Sequence, residues 1–247
     1  MKLLSIGNSF SVDAQRWLHT LAEQNAIDLQ TGNLYIGGCS LEMHCQNVRE
    51  NAAAYTYYVN GEENGRPMSI AEALALETWD VVTLQQASHF SGAWDTYEPY
   101  LSELAATVRA ALPKAEIRFH QTWAYEVDAD HPGFEAYRHD QQVMFRGIQT
   151  ASALAATKLG TPLIPCGEVI QALRTRLAAF DYPHGGRSLN RDGFHLSLDY
   201  GRFAAAATWL YALCGRTILV DGMAAYDFDV ALLKEMLVVI TDVVNTQ

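Results

Sequence analysis

Five short apolar runs, near residues 2–6, 29–36, 80–85, 116–121 and 162–165, are separated by longer stretches with apolar residues at helical spacing. A strand that is apolar on both faces needs cover on both sides, so this alternation points to a parallel sheet between two helical layers. Helices are expected near 12–26, 98–112, 134–159, 167–180, 199–214 and 228–245. Pro113 stands where the second of these should stop, and Pro162 introduces the fifth strand after Gly160. The reading is a three-layer αβα sandwich around five parallel strands. The stretch 45–68 breaks the rhythm: Tyr55-Thr56-Tyr57-Tyr58-Val59 runs into Asn60-Gly61 and then into polar residues, as in a small hairpin or a flap over one edge. No repeat or Pro/Ser linker interrupts the chain, so a single domain over residues 1–247 is expected.

The charge balance narrows the partners. With 17 basic and 28 acidic residues the net charge is −11, and no basic cluster offers a footprint for phosphates. Nucleic acid and anionic lipid are therefore poor partners, and a small neutral or cationic ligand is expected. Cys39, Cys45, Cys166 and Cys214 lack C-x-x-C or finger spacing and read as buried thiols rather than metal ligands. No apolar run reaches the roughly 18 residues of a membrane span. The apolar stretch after Met1-Lys2 is short for a signal peptide, so a cytoplasmic protein is expected.

In such sheets ligands bind beyond the carboxyl ends of the strands. The first strand ends in Gly7-Asn8-Ser9-Phe10-Ser11, directly before an amphipathic helix. Ser9 there can act as a nucleophile, and either Ser9 or Ser11 can simply cap the helix. Far along the chain lies Arg191-Asp192-Gly193-Phe194-His195, before an alanine-rich helix. If that loop curls as a turn, the Asp192 carboxylate accepts from Nδ1 of His195 and leaves Nε2 to take a proton from a hydroxyl.

These residues resemble the SGNH (GDSL-type) hydrolases, esterases on a flavodoxin-like αβα fold. Gly7-Asn8-Ser9 resembles their Gly-Asp-Ser block, with Asn8 in place of Asp, and Asp192 with His195 resembles their terminal Asp-x-x-His. The resemblance implies Ser9 as nucleophile, His195 as general base and acid, and Asp192 as its orienting partner. It also implies an oxyanion hole made of the Ser9 N–H, a glycine N–H after the second strand and a side-chain amide after the third. Gly37-Gly38 follows the second strand, with Gly38 favoured. The usual Gly-x-Asn-Asp is absent after the third strand, where Gln85-Gln86 stands instead, as in the branch that includes carbohydrate acetylesterases. Gln85 is the first choice and Gln86 the second, because alternation aims only one of them into the site.

The same resemblance implies a serine esterase acting on small acyl esters, acetyl above all, of a carbohydrate, with no metal or organic cofactor. Trp123 and Tyr125, after the fourth strand, can offer flat faces to a sugar ring, and His44 and His89 can rim the pocket. Asp128, Asp130, His131, His139 and Asp140 have ligand chemistry, but Pro132-Gly133 reads as a solvated loop leading into a helix. Two alternatives keep the fold: a noncatalytic glycan-binding module, and a lipase- or thioesterase-type SGNH hydrolase. A dinucleotide carrier is disfavoured because no G-x-G-x-x-G follows the first strand.

Overall fold

The computed structural model describes residues 1–246. In chain order the elements are β1 (Lys2–Gly7), α1 (Ser9–Gln15), α2 (Leu18–Gln24), β2 (Gln30–Tyr35), α3 (Leu41–Glu50), β3 (Tyr55–Val59), β4 (Glu62–Met68), α4 (Ile70–Leu76) and β5 (Val81–Leu84). There follow α5 (Tyr100–Ala111), β6 (Glu116–His120), α6 (Gln141–Leu159), β7 (Leu163–Ile164), α7 (Cys166–Arg176), α8 (Tyr200–Cys214) and α9 (Val230–Asn245).

The sheet has seven strands in the order β4-β3-β2-β1-β5-β6-β7. Five of them, β2-β1-β5-β6-β7, pair in parallel and coincide with the five apolar runs. The other two form an antiparallel hairpin joined to β2 through β3, so the segment 55–68 extends the sheet. Within β1, Leu3 faces one helical layer while Leu4 and Ile6 face the other, and all three are fully buried. Leu3 meets a core built mainly from α1, α2, α7, α8 and α9. On the opposite face Leu4 and Ile6 pack with α3, α4, α5 and the C-terminal half of α6. Phe203 through Leu210 of α8 are all buried, so the middle of this helix is covered all round.

Three local features depart from the expectation. The first expected helix is two, broken at Arg16-Trp17, where Trp17 packs edge-on against Phe228 and donates from Nε1 to the Leu198 carbonyl. The helix α3 starts before the stretch read as irregular and its second half, from Cys45, runs into it; its residues are polar on average. The helix α4 begins with a reciprocal capping box between Ser69 and Glu72, an S-x-x-E signal present in the sequence.

The strand order reverses at β1, whose two neighbours, β2 and β5, lead away to opposite edges. The loops after β1, β2 and β5 therefore open onto one crevice at the carboxyl end of the sheet.

Candidate active site

The first of these loops is short because α1 starts two residues after β1, and its cap is Asn8. Asn8 Oδ1 accepts from the Phe10 N–H at 3.0 Å, and Nδ2 donates to the Cys39 carbonyl at 3.1 Å. A carboxylate could not make the second bond, which explains why an amide suits this position. Neither Ser9 nor Ser11 is the cap, so the Ser9 hydroxyl is left free of the helix end.

Ser9 Oγ lies 2.8 Å from His195 Nε2, and His195 Nδ1 lies 2.7 Å from Asp192 Oδ2. Three stretches of chain thus form one hydrogen-bonded line. The other oxygen, Asp192 Oδ1, accepts the backbone N–H groups of His195 at 2.8 Å and Phe194 at 3.2 Å. Partial burial pushes the Asp192 carboxyl up, but the bonds from the His195 ring and these N–H groups outweigh it, and the group is held below its ordinary range. With Nδ1–H committed to the carboxylate, Nε2 is the nitrogen available to the hydroxyl.

The loop carrying this pair is pinned on several sides. Arg191 N–H donates to the His195 carbonyl at 2.9 Å, and Ser197 N–H to the Leu189 carbonyl at 2.7 Å. From beneath, the Trp123 indole donates to the Phe194 carbonyl at 2.8 Å and the Glu126 N–H to the Gly193 carbonyl at 2.7 Å. Buried Asp13 of α1 accepts the Leu196 N–H at 2.9 Å.

Around Ser9 and His195 opens a cleft of about 400 Å³, walled by Phe10, Tyr35, Gly37, Gly38, Ser88, His89, Pro132 and Phe194, with His131 and Gly133 beside them. Gly38 adopts φ +64° in the turn after β2, a conformation that favours glycine. The N–H groups of Ser9 and Gly38 donate to no group among the described residues.

Both glutamines after β5 are committed elsewhere, which corrects the expectation that one of them donates into the cleft. Gln85 Nε2 donates to Asn8 Oδ1 at 2.8 Å, and its Oε1 lies 2.9 Å from His120 Nδ1. Gln86 Oε1 accepts from the N–H groups of Leu41 and Ala87, and Nε2 donates to the carbonyl and hydroxyl of Thr96. Each is about as buried as a core residue, at 2% and 1% exposed. They bridge the loop after β1, the start of α3, Thr96 and β6 under the site.

Two further expectations are corrected by burial. Trp123 and Tyr125 are 0% exposed: Trp123 stacks on Phe10 at 4.2 Å below the cleft, and Tyr125 packs against Phe134 and His131. The segment after β6 is an interior loop, so its rings are not available as sugar platforms. His44 is likewise enclosed, with Nδ1 2.8 Å from the Tyr55 hydroxyl. His89 does line the cleft.

His131, which the sequence places in a solvated loop before α6, stands at the cleft. Its Nδ1 accepts the Gly133 N–H at 3.0 Å, so the neutral ring carries its proton on Nε2. Burial, and then the proximity of His195, lower its pKa, while burial and His131 lower that of His89. The acidic residues nearby have other tasks: Asp140 caps α6 and Asp128 accepts from the Tyr182 hydroxyl. Among the described residues no group of three or more His, Cys, Asp or Glu is arranged to hold a metal ion.

Among solved structures, the chain is 44% identical to a DUF4886 family protein from Bacteroides uniformis, with a TM-score of 0.81 over 87% of this chain and 83% of that one. A protein from Slackia heliotrinireducens, put forward as an SGNH hydrolase, is similar at 23% identity and TM-score 0.57, covering 85% of this chain and 97% of that one. A variant of Axe2, an acetyl-xylooligosaccharide esterase from Geobacillus Stearmophilus, is similar at 14% identity and TM-score 0.52, covering 88% and 96%. The architecture is that of the SGNH hydrolases. No curated protein matches the sequence. The model of the DUF4886 family, described as a domain of unknown function, matches residues 2–241, and the chain belongs to that family.

Proposed function

We propose that this protein is a serine ester hydrolase working through an acyl-enzyme on Ser9. The observation that carries the reading is the line from Ser9 Oγ to His195 Nε2 at 2.8 Å and from Nδ1 to Asp192 at 2.7 Å, opening on a cleft. In the first step Ser9 Oγ attacks the ester carbonyl while His195 takes its proton and passes it to the leaving alcohol. In the second, His195 activates a water that discharges the acyl group and restores the serine. Asp192 stabilises the imidazolium in both steps. The Ser9 and Gly38 N–H groups are the candidate donors to the tetrahedral oxyanion, since both are free and border the cleft.

The substrate we infer is a small acyl ester, acetyl in the first instance, of a carbohydrate. The side chains lining the cleft include no Lys, Arg, Asp or Glu. Beside Asn8, Ser9 and His195, its polar groups are the hydroxyls of Tyr35 and Ser88 and the imidazoles of His89 and His131, set among the apolar faces of Phe10, Pro132 and Phe194. Uncharged donors and acceptors beside apolar faces suit a polyhydroxylated alcohol better than a phosphate or a carboxylate. A volume of about 400 Å³ has room for a sugar ring together with an acetyl group.

The test is turnover of 4-nitrophenyl acetate, butyrate and octanoate and of acetylated xylo-oligosaccharides, with fluorophosphonate labelling in parallel. The reading expects acetate to be the best aryl ester and Ser9 to be the labelled residue. Preference for octanoate would overturn the substrate class. An inert, unlabelled Ser9 would overturn the hydrolase.

A further inference from the structure

The two glutamines after β5 are spent, yet the same loop reaches the cleft one residue beyond Ala87. Ser88 lines the cleft together with Ser9, Gly38 and His195. Its Oγ lies 2.8 Å from the hydroxyl of Tyr125, and either oxygen can be the donor in that bond. The proton count decides between the two arrangements. Two hydroxyls bring two protons, and their mutual bond uses one. Tyr125 is 0% exposed, and its hydroxyl has no other hydrogen-bond partner among the described residues. If Ser88 donated, the tyrosine proton would be left buried without an acceptor, a cost that buried groups avoid. The satisfied arrangement has Tyr125 donating to Ser88 Oγ and the Ser88 hydroxyl donating into the cleft.

We infer that Ser88 supplies the side-chain donor of the oxyanion hole, completing the Ser9 and Gly38 N–H pair, with Tyr125 as the positioning residue that fixes the direction of its hydroxyl. The inference rests on the esterase reading. It gives the site a side-chain donor where the Gln85 and Gln86 amides donate elsewhere. Tyr125 is held among Phe134, His131 and Phe194, so its donated bond occupies one side of Ser88 Oγ and leaves the Ser88 proton the positions away from the tyrosine before substrate arrives. A donor aimed in advance at developing charge acts on the transition state more than on the bound ester, so its loss should appear in kcat rather than in KM.

The experiment compares Ser88→Ala, Tyr125→Phe and the double variant with wild type on 4-nitrophenyl acetate, with melting temperatures as a check on folding. Ser88→Ala is expected to lower kcat by about 100-fold with KM changed less than about threefold. Tyr125→Phe should lower kcat less, and the double variant should be no slower than Ser88→Ala, because the tyrosine acts through the serine. A folded Ser88→Ala enzyme that keeps more than about a tenth of wild-type kcat, or losses that multiply in the double variant, would overturn the assignment while leaving the esterase reading intact. Wild-type protein without turnover on any ester would overturn both.

Discussion

Both carboxylate oxygens of Asp13 accept from Nη1 of Arg191, each at 3.1 Å. Asp13 lies on the helix that begins with Ser9, whereas Arg191 directly precedes Asp192, so this pair ties the Ser9 helix to the loop that carries Asp192 and His195. Arg202 Nε adds a bond at 2.8 Å and the Leu196 N–H another at 2.9 Å, all to a carboxylate that is 1% exposed. Removing that charge would leave two guanidinium groups facing each other without their acceptor. Asp13→Asn is expected to lose about 3 kcal/mol of stability. It should also slow turnover by loosening the Ser9–His195 distance. Urea unfolding and kcat/KM measured on the same preparation check both, and a variant with wild-type stability would show that the pair contributes little.

On the proposed reaction path the hydrogen-bonded line joins Ser9, His195 and Asp192 into one unit. Ser9→Ala and His195→Ala are each expected to lower kcat by about 10⁴-fold or more, and the double variant should fall little further. Asp192→Asn should retain the geometry but disturb the imidazole tautomer, with a loss of similar order. Turnover of 4-nitrophenyl acetate by wild type, the single variants and the double variant reads this directly. Additive losses would show that the residues do not share one reaction path.

The strands β1 and β5 were legible because they are buried on both faces, leaving nearly continuous apolar runs such as Val81-Val82-Thr83-Leu84. The Asp192-x-x-His195 spacing was legible because an Asx-type turn brings residues three apart together. What failed were statements about partners. Alternation says which face a side chain takes, but nothing local tells Gln85 that Asn8 and His120 will occupy both ends of its amide. Trp123 and Tyr125 misled for a related reason. The segment 121–126 follows a strand as a loop would, yet all six residues are buried. Arg174 makes that possible by donating to the Ala124 carbonyl at 3.1 Å and to Asn190 Oδ1 at 2.6 Å, a long-range arrangement with no local sequence signal.

Gln85 gives a direct contrast between supporting the site and acting in it. Its amide bridges Asn8 and His120 and is 2% exposed. Gln85→Leu leaves the His120 Nδ1–H without its acceptor, which should cost about 2 kcal/mol. If the role is structural, kcat should stay within about tenfold of wild type while the urea midpoint falls. A 100-fold loss of kcat at unchanged stability would instead restore Gln85 as an oxyanion donor.

Gly133 sets how closely the loop before α6 approaches His89. A Cβ there would stand 2.4 Å from the His89 Cβ, a contact that neither backbone can relieve without moving. Gly133→Ala is therefore expected to push the His131 segment away from the β5 loop and widen the cleft. The predicted signature is a raised KM for acetylated oligosaccharides with kcat for 4-nitrophenyl acetate changed less than about threefold. Equal losses on both substrates would mean that the displacement reaches Ser9 and His195.

His44 and His120 set the acid side of the stability profile. Both are fully enclosed, and burial lowers each from the ordinary 6.5 to about 3. Nε2 of each has no hydrogen-bond partner among the described residues, so nothing there would hold an added proton. In the unfolded chain the same imidazoles titrate near their ordinary value. Between pH 6.5 and about 3, therefore, the unfolded state binds protons that the folded state refuses, and stability falls as the pH falls. Each group contributes a slope of up to about 1.4 kcal/mol per pH unit. Urea unfolding at pH 7 and pH 5 should show a loss in wild type that is smaller by about 2 kcal/mol in His44→Gln. The comparison rests on the slope, because the substitution also changes the bond to Tyr55 and hence the stability at pH 7. Identical pH slopes in the two proteins would mean that His44 takes up its proton in the folded state as readily as in the unfolded one.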